Sequence, residues 1–93
     1  MRSDGNKLTE GRAAGARALG KAVRARRRAL GLDQLLLCDM AGVGPAFLYS
    51  LEHGKPSVRL DKVLAVLGVL GLELHVRGGA LLVSVDDRLG SDS

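Results

Sequence analysis

The sequence predicts a mainly α domain of four to five helices followed by a C-terminal β-strand or hairpin, and three observations carry that expectation. Apolar residues recur at spacings of three and four through residues 16–70, a glycine closes each such stretch, and beyond Gly71 the period changes to two. A length of 93 residues fits one domain rather than two. Hydrophobic residues reach 46%, yet Phe47 and Tyr49 are the only aromatics, so the core must be aliphatic and thin. A chain this small buries only about 60% of its surface, and association with a second copy is the expected source of further stability.

Residues 1–15, rich in Gly, Ala and charge and without periodicity, read as a flexible basic arm. The helical domain follows over 16–71. Leu19, Val23 and Leu30 set a first helix over about 17–30, and Gly31 stops it. Asp33 is a good N-cap for a second helix over 34–41, with Leu37, Met40 and Ala41 turned inward, and Gly42 ends it. Pro45 suits the first position of a third helix, where its missing N–H has no partner to lose. Leu48 and Leu51 mark that helix's inner side and Gly54 closes it. Ser57 can cap a fourth helix over about 58–70, whose apolar stripe is Leu60, Val63, Leu64, Leu67 and Leu70. Val66 and Val69 fall on its flank, and a spare apolar flank marks an interface. Leu72, Leu74 and Val76 then alternate with Glu73, His75 and Arg77, Gly78-Gly79 signals a turn, and Leu81, Val83 and Val85 make a second strand. Two strands alone are marginal in water, so the 72–86 hairpin is expected to pair with that of a second subunit. Residues 87–93 read as a disordered tail.

Charge is unevenly placed. Residues 1–30 carry nine bases and two acids, whereas residues 31–93 carry five bases and eight acids. A basic end on a neutral-to-acidic body suits a polyanion, nucleic acid above all. The apolar run around Val63–Leu74 is broken by Gly68, Gly71 and Glu73, too short to span a membrane, and the N-terminus lacks a secretory apolar stretch, so a cytoplasmic protein is expected. Cys38, His53 and His75 lack metal-site spacing, and neither a metal nor a cofactor is expected. An enzyme is the class the sequence supports least: it offers no nucleophile with a base, no carboxylate pair and no phosphate-cradling Gly loop.

The most specific feature is the pair of short helices joined by a Gly turn across Gln34–Glu52, the form of a helix-turn-helix. Gln34, Leu37, the small residue Cys38, Ala41-Gly42-Val43, Leu48, Leu51 and Glu52-His53-Gly54-Lys55 fall at spacings that resemble the Xre, or phage-repressor, type. The continuation Gly54–Leu64 and Leu70-Gly71-Leu72-Glu73-Leu74 resembles the HipB-like subgroup, DNA-binding antitoxins that repress their own operon and restrain a kinase toxin. The resemblance implies a repressor-like fold in which Gly44, Pro45, Ala46, Tyr49 and Ser50 face the bases and Gln34, His53 and Lys55 lie against phosphate. It also implies a scaffold ion pair between Arg27 and Glu52. Arg24 and Arg28, with Arg12 and Arg17 of the arm, are placed to flank the groove. His53 has a second reading, capping the carbonyls of the third helix. Phe47 and Cys38 read as packing, and His75 as a solvated polar face.

The third helix departs from the pattern in one respect. It has no Arg, Lys, Asn or Gln for bidentate hydrogen bonding to a base edge. The function expected is therefore a homodimeric, sequence-specific DNA-binding repressor acting on a palindromic operator of double-stranded DNA, the antitoxin partner of a kinase-like toxin. The alternative is a protein-interaction module that keeps the scaffold and has lost DNA recognition.

Overall fold

The computed structural model of the chain describes residues 2–79 and 84–85. Four helices form: α1 (Arg2–Ala29), α2 (Gln34–Ala41), α3 (Pro45–Glu52) and α4 (Leu60–Val69). The boundaries of the central pair follow from single residues. The Asp33 carboxylate accepts the Leu36 N–H at 2.7 Å and its carbonyl accepts that of Leu37, satisfying two donors of the first turn of α2. At the other end Gly42 takes φ 69°, which an L side chain rarely adopts, and Val43 N–H donates to the Cys38 carbonyl. Gly44 and Pro45 then start α3, and the chain has turned by 113° between the two helices. Replacing Asp33 with alanine is expected to cost about 1 kcal/mol, visible as a lower thermal midpoint, whereas Asp33→Asn should nearly restore it.

α1 packs on α3, and α2 packs on both α3 and α4. The core at their meeting point is Val23, Leu37, Cys38, Leu48, Leu51, Val63, Val66, Leu67 and Leu70, with no aromatic ring fully inside. Phe47 lies half-buried at its edge, with the Lys62 ammonium 5.7 Å from its ring centre. Cys38 is buried there as a packing residue; burial, foremost, pushes its thiol up, and the negative charges of Asp39 and Glu52 add to this, so it stays protonated. Where α4 ends, the Arg26 Nε donates to the Leu70 carbonyl at 2.9 Å and Leu72 N–H to the Leu67 carbonyl at 2.9 Å. The first bond ties the exit of the domain to α1, and the second closes the end of α4.

Several expectations are corrected. α1 starts at Arg2 and not near residue 17, so the segment read as an arm is helical. Residues 2–15 supply no apolar stripe by which a helical periodicity is recognised. α4 starts at Leu60, with Arg59 and not Ser57 at its N-cap. It turns Val63, Val66, Leu67 and Leu70 inward: Val66 is 0% exposed and Val69 half-buried, while Leu60 is 60% and Leu64 46% exposed. Val66 therefore cannot serve a subunit interface. A helix apolar on most of its circumference has two adjacent stripes, and contact with α2 selects between them. Met40, expected inside, is exposed.

Among the described residues there is no β-strand. Leu72 N–H is taken by the Leu67 carbonyl, and residues 73–77 run without a ladder to any other described residue. Leu72 packs on the core, Leu74 and Val76 are exposed, and so is Val85. Leu81, Val83 and the 87–93 tail lie outside the described residues. No single helix among the described residues is long and apolar enough to cross a membrane.

Candidate nucleic-acid interface

The first turn of α2, the outer side of α3 and the last two turns of α1 converge on one surface. They line an open depression of about 550 Å³ formed by Arg24, Arg27, Asp33, Gln34, Leu35, Tyr49, Glu52 and His53. Its floor is a buried ion pair. The Arg27 Nε donates to Glu52 Oε2 at 2.7 Å and Nη2 to Oε1 at 3.1 Å, a two-pronged match of planar groups. Nη1 of the same guanidinium donates to the Leu32 carbonyl at 2.9 Å, and Gln34 Nε2 donates to Glu52 Oε1 at 3.0 Å. One network thus ties α1, the α1–α2 turn, the start of α2 and the end of α3.

Burial pushes the Glu52 carboxyl up, yet hydrogen bonds from Arg27 and Gln34 and the charges of Arg27 and Arg24 outweigh it and hold the group below the usual carboxylate range. The hydrogen bond to Glu52 raises the Arg27 guanidinium against the opposing effect of burial. Both groups are therefore charged throughout the physiological range.

The outer face of α3 is open. Gly44, Pro45, Ala46 and Tyr49 are exposed and Ser50 is half-buried. Tyr49 is 58% exposed and stacks on His53, the ring centres 4.0 Å apart and the planes inclined by 23°. His53 Nδ1–H donates to the Tyr49 carbonyl at 2.8 Å, which is the capping geometry and leaves Nε2 for another partner. Lys55, Arg24 and Arg28 are exposed, and Gln34 is half-buried with its amide donor turned onto Glu52. Of the residues assigned to DNA, Gln34, Tyr49, His53 and Arg24 share the depression; Gly44, Pro45, Ala46, Ser50, Lys55 and Arg28 do not line it.

Two features escaped the sequence reading. Tyr49 and His53 stand four apart on one helix face, a spacing that permits the stack. Gly20 lies where α1 crosses the end of α3, and a methyl group there would collide with the carbonyl oxygens of Leu51 and Glu52. An isolated glycine inside a helical pattern is the available signal for such a close approach.

A two-helix unit turned through 113°, with the outer face of the second helix open to solvent and its end locked to α1 by a buried ion pair, defines a helix-turn-helix protein. Residues 23–76 match the helix-turn-helix family, more than half of the chain, and the chain belongs to that family. Over 58 residues it is 41% identical to y4mF of Sinorhizobium fredii, described as an uncharacterized HTH-type transcriptional regulator; the match covers 62% of this chain and 76% of the relative.

Proposed function

We propose that the chain is a DNA-binding transcriptional regulator that represses as a two-fold dimer and serves as the autoregulating antitoxin of a kinase-like toxin. The observation that carries the DNA reading is the open outer face of α3 beside the first turn of α2. Asp33 caps the N–H groups of Leu36 and Leu37, which leaves those of Gln34 and Leu35 for a phosphate. Tyr49, Ala46 and Pro45 supply stacking and apolar contact to bases, with thymine methyls as the natural partner. Gln34, the second nitrogen of His53, Lys55, Arg24 and Arg28 serve the backbone. The relative's description as a transcriptional regulator supports this reading.

Dimerisation is supported by the apolar residues left outside the core: Leu60 and Leu64 on α4, and Leu74 and Val76 beyond it. A second copy paired along residues 72–77 gives that segment the ladder it lacks, sets two α3 helices about one DNA turn apart, and requires a palindromic operator. The antitoxin role rests on the HipB-like pattern of residues 54–64 and 70–74. A protein-interaction module is the second reading. It is favoured by the absence of Arg, Lys, Asn and Gln from α3 and by the exposure of Leu35, Leu36 and Met40 on α2.

Mobility shift against the DNA upstream of the protein's own gene tests the proposal. Binding is expected, weakened about tenfold or more by joint Tyr49→Ala and Lys55→Ala substitution. Six neutralised phosphates give log K a slope of about −5 against log salt. Failure to shift that DNA at low salt, with co-purification of the neighbouring gene's product, establishes the interaction module instead.

A further inference from the structure

Because α1 is one continuous helix from Arg2 to Ala29, it brings Arg17, Lys21, Arg24 and Arg28 into register. Spacings of four, three and four put all four on one narrow stripe, about 16 Å long from first to last. Each is exposed, and none of the four side chains forms an ion pair or hydrogen bond among the described residues; Arg24 contributes only its charge to the field at Glu52.

A merely solvated helix face mixes signs, since Glu and Lys four apart stabilise it by a few tenths of a kcal/mol and like charges destabilise it by as much. Here no acid occurs from Gly11 to Ala29, so the repulsion along the stripe has no internal compensation. The helix dipole accounts for Arg28 in the last turn, but its influence does not reach Arg17 and Lys21. The stripe also runs beside the candidate interface: Arg24 lines the depression with Tyr49 and His53, and Arg17 touches Gly54, the neighbour of His53 and Lys55.

We propose that Arg17, Lys21, Arg24 and Arg28 form a rail for the phosphate backbone, carrying the contact of a duplex along α1 past the helix-turn-helix unit. The inference rests on the DNA-binding reading and adds to it Lys21 and the continuous stripe that joins it to Arg17, Arg24 and Arg28; Arg17 and Lys21 precede the family-matching residues. A rail of this kind reads no sequence; it raises affinity for every duplex and holds the open face of α3 against the groove. Such a device suits a third helix that offers few base-specific hydrogen bonds.

The test is the affinity of the full chain for two 30-base-pair duplexes, one from the upstream DNA and one scrambled, measured by fluorescence anisotropy across a salt series. Joint substitution Arg17→Gln and Lys21→Gln should make the slope of log K against log salt shallower by about 1.8, and Lys21→Gln alone by about 0.9, equally on both duplexes. Lys21→Gln guards against a packing effect at Arg17. If the parent binds and neither variant changes the slope, the rail is overturned and the DNA reading stands. A parent that binds neither duplex overturns both. Tighter binding to anionic phospholipid vesicles than to either duplex would overturn the rail in favour of a membrane surface.

Discussion

Glu52→Ala is expected to destabilise the fold by about 3–5 kcal/mol, because it leaves the Arg27 guanidinium buried with the Leu32 carbonyl as its remaining hydrogen-bond acceptor. A domain of this size holds only about 5–14 kcal/mol in all, so the variant should melt more than about 12 °C lower. Removing both charges is a different experiment: Arg27→Met with Glu52→Leu should recover most of the loss, since the cost lies in the abandoned charge rather than in missing attraction. The pair also imposes a pH dependence. The folded carboxyl is held below its ordinary value, so its contribution is complete above about pH 4.3 and is lost as pH falls through the lower folded value. Denaturant titrations between pH 2 and 6 should show that loss in the parent and a flatter profile in Glu52→Gln. Equal profiles would show that the pair contributes nothing to stability.

Gly20→Ala is expected to cost about 2–3 kcal/mol, although alanine is favoured over glycine inside a helix by about 1 kcal/mol. The added methyl meets backbone oxygens of Leu51 and Glu52, which cannot swing aside as a side chain can, so α1 must lift from α3. The same lift strains the ion pair, because Glu52 supplies both a blocking carbonyl and the carboxylate that Arg27 grips. Gly68→Ala in α4 provides the opposite sign. Nothing stands within 4 Å of the new methyl, and a gain of up to about 1 kcal/mol is expected from helix propensity alone. Thermal melts of the two variants decide the matter; a neutral Gly20→Ala would mean that α1 and α3 are not in close contact.

The central helices were legible because their ends are fixed by local chemistry. Asp33, Gly42 and Pro45 act on their nearest neighbours, and α2 and α3 have the expected bounds at these residues. What depends on a distant partner was less so. The start of α1 carries no apolar stripe, and the inward face of α4 is chosen by α2 from two equally apolar candidates. The alternation in residues 72–77 signals a strand, but a strand exists only where a second one lies beside it. At the candidate interface the types of residue could be read from the motif. The Tyr49–His53 stack, the turning of the Gln34 amide onto Glu52 and the close approach at Gly20 are three-dimensional facts with only spacing as a hint.

The sole tyrosine, in a chain without tryptophan, sits on the outside of α3 against an imidazole. Tyrosine emission from this protein therefore originates on the outer face of α3, and the aliphatic core contributes none of it. Occupancy of that surface can be followed on the unlabelled chain by its fluorescence, while loss of the fold has to be read from the helical signal in circular dichroism.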